Sequence, residues 1–296
     1  MTKPDRGVLI YAFNNSQIDY VKIAIANAHM IKHHMNVQCA LITDEISWNN
    51  TAKLLGDKIS KDVFCEIIIV KKDIMFNQNN IRTYKDTVHT QHKLSFYNVG
   101  RADAYDLTPF TETLVIDADY LVLGDSLNQC WGHLNNIMIN HDYVDAFGER
   151  TFSDTGRVNN MGIDMYWATV VYFNKSPESE MWFEILKNVR DNYTYYHRLY
   201  NCDDSLFRND YVFSIAAHMY MGFTGEHMSS LPIKLINSFD RDTLHSVRSL
   251  DEIVMVLEKP DTEGDYILTN FKYNNIHIMN KWALSRVSDE ILGKIC

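Results

Sequence analysis

The sequence predicts an α/β fold, with a mostly parallel, Rossmann-like central sheet flanked by helices. Three observations carry that prediction. A short apolar run of buried-strand character at 7–13 (GVLIYAF) and the largely apolar runs at 37–43 (VQCALIT) and 65–70 (CEIIIV) read as three strands. A segment of helical period separates the first two, with Val21, Ile25, Ala28 and Met35 along one stripe. The breaks between these segments are short, and strand, helix, strand with short breaks is the pattern of parallel crossovers.

The first strand gives way to the polar break Asn14-Asn15-Ser16, and the helix runs from about Asp19 to His34. The second strand stops at Thr43-Asp44. Residues 89–105 (HTQHKLSFYNVGRADAY) read as a helix, ended by the turn at Thr108-Pro109-Phe110. The run 113–123 (TLVIDADYLVL) reads as one strand interrupted by Asp117 and Asp119. Farther on, 167–174 reads as a strand and 177–192 as a helix. A further helix spans 209–222, with Asn209 and Asp210 at its start and Gly222 just beyond its end. Runs at 253–258, 266–271 and 275–284 complete the chain, and their pairing stays open. No repeat, low-complexity tract or Gly/Ser linker divides it, so 1–296 is expected to form one compact unit.

Composition narrows the function. With 46% hydrophobic residues the chain of 296 can bury a large core, which excludes disordered and fibrous classes. Its 28 basic residues against 38 acidic ones leave −10, a poor match to proteins held on nucleic acid by phosphate neutralisation. The five cysteines are scattered and form no C-x-x-C pair, against a disulfide framework or zinc knuckle. The N-terminus lacks a signal-peptide core and no apolar run approaches a membrane span, so a cytoplasmic location is expected. The sequons at Asn14, Asn49 and Asn192 then have no role. The abundance of Asn, Ile, Lys and Tyr suits an AT-rich genome.

Chemistry concentrates at Asp117 and Asp119. Side chains on a strand alternate, so carboxylates two apart emerge on one face near the strand end, where α/β sheets bind ligands. Two like charges there resist desolvation and call for a positive partner, a divalent cation being the simplest. Other clusters carry less. His29 and His33 lie four apart on a helix without an acidic partner in the motif, and His89 with His92 is similar. The aromatic stretch 193–200 is expected to be a packed surface, and Asp203-Asp204 a cap or solvated turn. No P-loop, G-x-G-x-x-G or G-x-S-x-G is present.

The run TPFTETLVIDADYLVLGD resembles the region around the D-x-D motif of nucleotide-sugar-dependent glycosyltransferases of the GT-A fold. YAFNN is similar to that family's opening nucleotide-binding strand, and LITDE to its second strand. His277-Ile278-Met279-Asn280-Lys281-Trp282 resembles the H-x-x-G-x-x-K-P-W segment of the glycogenin-like branch, with Asn280 in place of Gly and no Pro before Trp282. RGVLIYAFNN and RNDYVFSIAAHM also look like glycosyltransferase-like proteins of tailed phages.

The resemblance implies a GT-A type sheet, a nucleotide-binding half at 1–125 and an acceptor-binding half at 126–296. It implies a metal, Mn²⁺ or Mg²⁺, held by Asp117, Asp119 and His277, with manganese favoured by the histidine. Tyr11, Ala12, Phe13 and Asp44 would hold the nucleoside of a nucleotide-sugar donor, UDP-sugar being the family's commonest. Asp117, Lys93 and Lys281 would contact the donor's ribose and phosphates, and Asp210 and Thr169 would lie at the sugar as the catalytic candidates. Retention or inversion stays open, and so does hexosyl against pentosyl transfer. The acceptor is a glycan, a protein or a modified base in DNA; the last needs a basic groove, for which Arg190, Arg198 and Arg208 are the nearby candidates. If phage-encoded, the protein would act in the host cytoplasm. A sugar nucleotidyltransferase would need a Gly-rich loop where Ala12-Phe13-Asn14-Asn15 stands, whereas a non-catalytic nucleotide-sugar-binding protein remains an alternative.

Overall fold

The computed structural model describes residues 5–56, 63–71, 80–85, 90–148, 150, 157–159, 162–202, 206–260 and 262–295. His89 and the Asp203-Asp204 pair lie outside them. In chain order the strands are β1 (Arg6–Tyr11), β2 (Gln38–Thr43), β3 (Phe64–Ile69), β4 (Ile81–Lys85), β5 (Gln91–Ser95), β6 (Glu112–Asp117), β7 (Tyr120–Leu121), β8 (Ile137–Ile139), β9 (Val144–Asp145), β10 (Val170–Asn174), β11 (Ile236–Asn237), β12 (Thr243–Ser249), β13 (Glu252–Glu258), β14 (Tyr266–Lys272) and β15 (Ile276–His277). The helices are α1 (Tyr20–Met35), α2 (Glu45–Leu55), α3 (Ala104–Leu107), α4 (Pro177–Asp191), α5 (Tyr193–Leu199), α6 (Asn209–Tyr220) and α7 (Lys281–Ile295).

The central sheet has the order β3-β2-β1-β6-β10-β8. Its first four strands are parallel, and β10 runs antiparallel to both neighbours. The prediction of a mostly parallel sheet flanked by helices is therefore met. Alternation along β1 assigns its two faces: Val8, Ile10 and Ala12 face a core shared with α1 and α7, whereas Leu9, Tyr11 and Phe13 face one shared with α4 and α6. Gly7 is where Phe110 crosses β1. A Cβ there would stand 2.4 Å from that ring and 2.7 Å from the Gln38 carbonyl.

Helix boundaries follow capping chemistry. Asp19 accepts from the Lys22 amide at 2.8 Å to start α1, and Asn36 ends it in the left-handed conformation at φ 52°. Ser176 caps α4 with Pro177 in its first turn. Gly222, at φ 71°, follows the end of α6.

The structure departs from the sequence reading at four places. Residues 89–105 do not form one helix: Gln91–Ser95 pairs with β4 in a hairpin, then comes a 3-10 turn at Gly100–Asp103 and the short α3. Lys93 is thus an exposed strand residue opposite Thr83. The alternation of His92, Leu94 and Phe96 is a strand period that the helix-like RADAY tail masked. The run 113–123 is not continuous either, since β6 ends at Asp117 and the chain turns through Ala118 and Asp119 into β7 of a different sheet, ordered β7-β15-β11-β9. The run 167–174 becomes regular strand only at Val170. The run 275–284 divides into the two-residue β15 and the start of α7. The tail pairing, open in sequence, is an antiparallel meander β12-β13-β14.

Candidate functional site

The carboxyl ends of β1 and β6 lie side by side, with Tyr11 in register with Asp117. Beyond them opens a cavity of about 450 Å³. Its chemistry is mixed. Arg82, Lys85, Arg101, Arg208 and Lys281 face Asp117, Asp119, Asp210 and Asp240, among aromatic walls that include Tyr11, Phe13, Tyr20, Phe96 and Trp167.

Asp117 ends β6, where its amide donates to the Thr169 carbonyl at 2.9 Å. Its carboxylate pairs with Arg101, whose side chain is only 4% exposed. The same guanidinium donates to the Ala168 carbonyl and, at 3.0 and 3.2 Å, to the Asn98 amide oxygen turned toward it. Burial lowers the Arg101 pKa to about 10, still fully charged at neutral pH.

Asp119 sits in the turn rather than on the strand, and two buried asparagines build that turn. Asn27 of α1 donates to the Tyr120 carbonyl at 2.8 Å and accepts from the Val122 amide at 3.1 Å. Asn275 accepts from the amides of Leu123 and Gly124, both at 2.9 Å. Pairing of His277 with Tyr120 then brings β15 alongside, and the Ile278 amide donates to the Asp119 carbonyl at 2.9 Å.

In consequence His277 Nε2 stands 3.3 Å from one Asp119 oxygen and Lys281 Nζ 2.5 Å from the other. Lys281 also donates to the Ile278 carbonyl at 2.8 Å. Burial alone would raise the Asp119 carboxyl, but Lys281 and His277 outweigh it and hold the group well below the usual carboxylate range. Burial first, then Lys281, lowers His277, so the imidazole stays neutral at pH 7 and keeps a lone pair to donate. Its Nδ1 is buried without a hydrogen-bond partner among the described residues.

The positive partner that the paired carboxylates call for is thus supplied within the chain, by Arg101 and Lys281. A metal also fits the donors. Ligand atoms of Asp117, Asp119 and His277 all lie within 4.8 Å of one another, and a set of two carboxylates and one imidazole suits manganese or magnesium. Asp117 and Asp119 would share their carboxylates between such an ion and the Arg101 and Lys281 side chains that they pair with here.

The other candidates divide. Tyr11, Phe13, Thr169, Asp210 and Lys281 line the cavity with Asp117, Asp119 and His277. Asp210, in the first turn of α6, accepts from the Ala168 amide at 3.1 Å and stands 3.5 Å from Arg208. Ala12 lies beneath the surface, its amide bonded to the Ile42 carbonyl at 3.0 Å. Asp44 is buried as the cap of α2, accepting from the Ser47 amide at 3.0 Å and hydroxyl at 2.5 Å. Neither Ala12, Asp44 nor Lys93 lines the cavity.

Sequence reasoning missed Arg101, Arg82 and Asn27. Arg101 lies between Gly100 and Ala102, and no local sequence signal marks its side chain as buried. Arg82 belongs to the β4-β5 hairpin, which roofs one side of the cavity. It donates to the Phe207 carbonyl at 2.7 Å and lies 3.6 Å from the Phe96 ring centre. Across the hairpin His92 packs on Trp282, ring centres 4.5 Å apart. The aromatic stretch 193–200 forms α5 away from the cavity, with Tyr193 buried and donating to the Leu206 carbonyl at 2.7 Å.

Of the basic trio, Arg190 is committed to Asp103 and Asp191, Arg208 lines the cavity and Arg198 borders a separate surface hollow. Among the described residues Cys39, Cys65 and Cys130 form no disulfide. No helix among the described residues is long and apolar enough to cross a membrane.

No protein-family model matches the chain, and no curated protein sequence does. Solved structures are similar at low identity. The galactosyltransferase LgtC, in complex with donor and acceptor sugar analogues, is 15% identical over 70% of this chain and 69% of its own, with a TM-score of 0.45. The apo glycosyltransferase GlyE of Streptococcus pneumoniae is 14% identical over 77% of this chain and 45% of its own, at 0.42. Apo mouse xyloside xylosyltransferase 1 is 11% identical over 73% and 83%, at 0.41.

Proposed function

We propose that this chain is a GT-A type glycosyltransferase, moving a sugar from a nucleotide-diphosphate sugar to a glycan or protein acceptor. A UDP-sugar is the first donor to test. One observation supports the reading above the others: Asp117, Asp119 and His277 meet at the carboxyl ends of β1 and β6 with Arg101 and Lys281 beside them, in an aromatic-walled cavity. That combination suits a diphosphate leaving group next to a nucleoside.

In this reading residues 1–125 supply the nucleotide side and 126–296 the acceptor side. Tyr11 and Phe13 pack against the nucleoside. Asp117, Asp119 and His277 hold Mn²⁺ or Mg²⁺, which when bound supplies a positive charge to the diphosphate. Lys281 and Arg101, which line the cavity beside these carboxylates, are the cations for the phosphate oxygens. The bond between the anomeric carbon and the phosphate oxygen breaks and its electron pair stays with the diphosphate. A bond to the acceptor oxygen forms, Thr169 lies against the sugar, and Asp210 takes the acceptor proton. The dispersed positions of Arg190, Arg198 and Arg208 favour a glycan or protein over DNA as acceptor, because a phosphate track needs its cations in line.

Calorimetric titration of UDP with and without Mn²⁺ tests the reading. The expected result is metal-enhanced binding of one UDP per chain, weakened at least tenfold by Asp119→Ala. The absence of UDP binding under both conditions would exclude a uridine donor, and the same result with every other nucleoside diphosphate would overturn the reading.

A further inference from the structure

Among the described residues one other cluster brings metal-ligating atoms together, at the opposite end of α1 from the cavity. His33 and His34 close that helix, and Asp251 lies in the turn between β12 and β13. We propose that they form a second metal site, for a zinc-type divalent ion that staples the end of α1 to the β12-β13 turn. The inference is independent of the proposed transferase activity.

Donor spacing carries the argument. His33 Nε2 and His34 Nε2 stand 3.8 and 3.7 Å from the same Asp251 oxygen, and the Leu250 carbonyl oxygen is 3.0 Å from His34 Nε2. Bonds of about 2.0–2.2 Å to a four-coordinate zinc put neighbouring ligands roughly 3–3.6 Å apart. The three side-chain donors, all within 4.8 Å of one another, therefore outline three corners of a coordination shell, and closing it requires side-chain adjustment in which His34 Nε2 gives up the hydrogen bond it donates to the Leu250 carbonyl. Two imidazoles and one carboxylate favour zinc, cobalt or nickel over magnesium and calcium.

The frame behind the ligands is fixed. The Tyr273 amide donates to the Asp251 carbonyl at 2.9 Å and the Asp251 amide to Ser249 Oγ at 3.2 Å, so the turn is held from both sides. His34 is nearly buried while His33 is half-exposed, which leaves one ligand anchored and one able to admit an ion from solvent. The carboxylate has no lysine or arginine partner among the described residues, and the carbonyl end of α1 adds its own negative field.

Asp251 reaches His33 and His34 from a turn more than two hundred positions along the chain, and His29, the other member of the pair noted in sequence, is not part of the cluster. Tyr20, at the other end of α1, lines the cavity, and the fourteen residues from Tyr20 to His34 span roughly 21 Å of helix, so an ion here touches no cavity group.

The experiment is calorimetric titration of zinc chloride into chelator-treated, tag-free protein carrying Asp119→Ala, which disables the cavity cluster. The expected result is one zinc per chain and a zinc-dependent rise in melting temperature. Adding His33→Ala or Asp251→Asn should weaken zinc binding at least tenfold and abolish the rise. The half-exposed His33 carries the test if the Asp251 variant does not fold. Failure of the Asp119→Ala protein to bind zinc stoichiometrically would overturn the site, as would binding that neither added substitution weakens.

Discussion

Asn27→Ala removes a side chain that touches no ligand, yet its effect should reach the site. Asn27 is fully buried, and its amide joins the Tyr120 carbonyl at 2.8 Å to the Val122 amide at 3.1 Å across the turn that carries Asp119. Truncation orphans one buried carbonyl and one buried N–H. Each unpaired group costs about 1–3 kcal/mol, so the sum is roughly 2–6 kcal/mol, and a value near 3 is expected if water enters the vacated space. Urea unfolding followed by fluorescence would show a lower midpoint at unchanged slope. UDP affinity should fall as the turn loosens.

Asn27→Asp adds a pH signature to this. The protonated acid can donate to Tyr120 and accept from Val122 as the amide does, so its folded pKa lies above the unfolded value of about 3.9. Its stability is complete below that value and is lost as pH rises through the folded pKa, so the deficit relative to wild type should widen between about pH 4 and 7. An Asn27→Ala deficit below about 0.5 kcal/mol, smaller than one orphaned group, would refute the reasoning.

Four further substitutions probe the charges. Lys281→Met frees Asp119 from its ammonium partner, so Mn²⁺ alone should bind more tightly while UDP binds about tenfold more weakly, near 1.4 kcal/mol; calorimetry with each ligand separately checks both signs. Arg101→Lys keeps the charge but loses the fork that spans Asp117, Ala168 and Asn98, and should cost about 1–2 kcal/mol in urea unfolding. Arg150 bridges Asp145 at 2.8 Å and Asp242 at 2.7 Å, all three buried, so Arg150→Met should destabilise by about 3–5 kcal/mol. Adding Asp242→Asn should recover about 1 kcal/mol or more by removing one of the stranded charges, again read from the urea midpoint.

Much of the sheet was legible in sequence because strands buried on both faces are apolar over most of their length, and β1 and β2 announce themselves in that way, whereas β3, equally rich in isoleucine, is a largely exposed edge strand. The starts of α4 and α6 were legible through Ser176-Pro177 and Asn209-Asp210. The break after Asp117 was not, because Ala118 and Asp119 can continue a strand. It is Asn27 and Asn275, about ninety and one hundred and sixty positions away in opposite directions, that turn the chain there. The hairpin was hidden for a different reason. Its exposed strands alternate over only five residues each, too short a pattern to compete with the helix-forming RADAY that follows. Taking Lys93 instead of Arg101 as the cation followed directly from that wrong period. Convergence of Asp119 with His277 rests on pairing between β7 and β15, a contact that no local pattern encodes.

Donor turnover tests the central claim most directly. Purified protein incubated with a panel of nucleotide-diphosphate sugars and Mn²⁺ is assayed for released nucleotide, beside the Asp119→Ala variant. The account predicts slow, metal-dependent release from one donor, lost in the variant, which would name both the base and the sugar. Release that persists in Asp119→Ala, or none from any donor with the metal present, would contradict it.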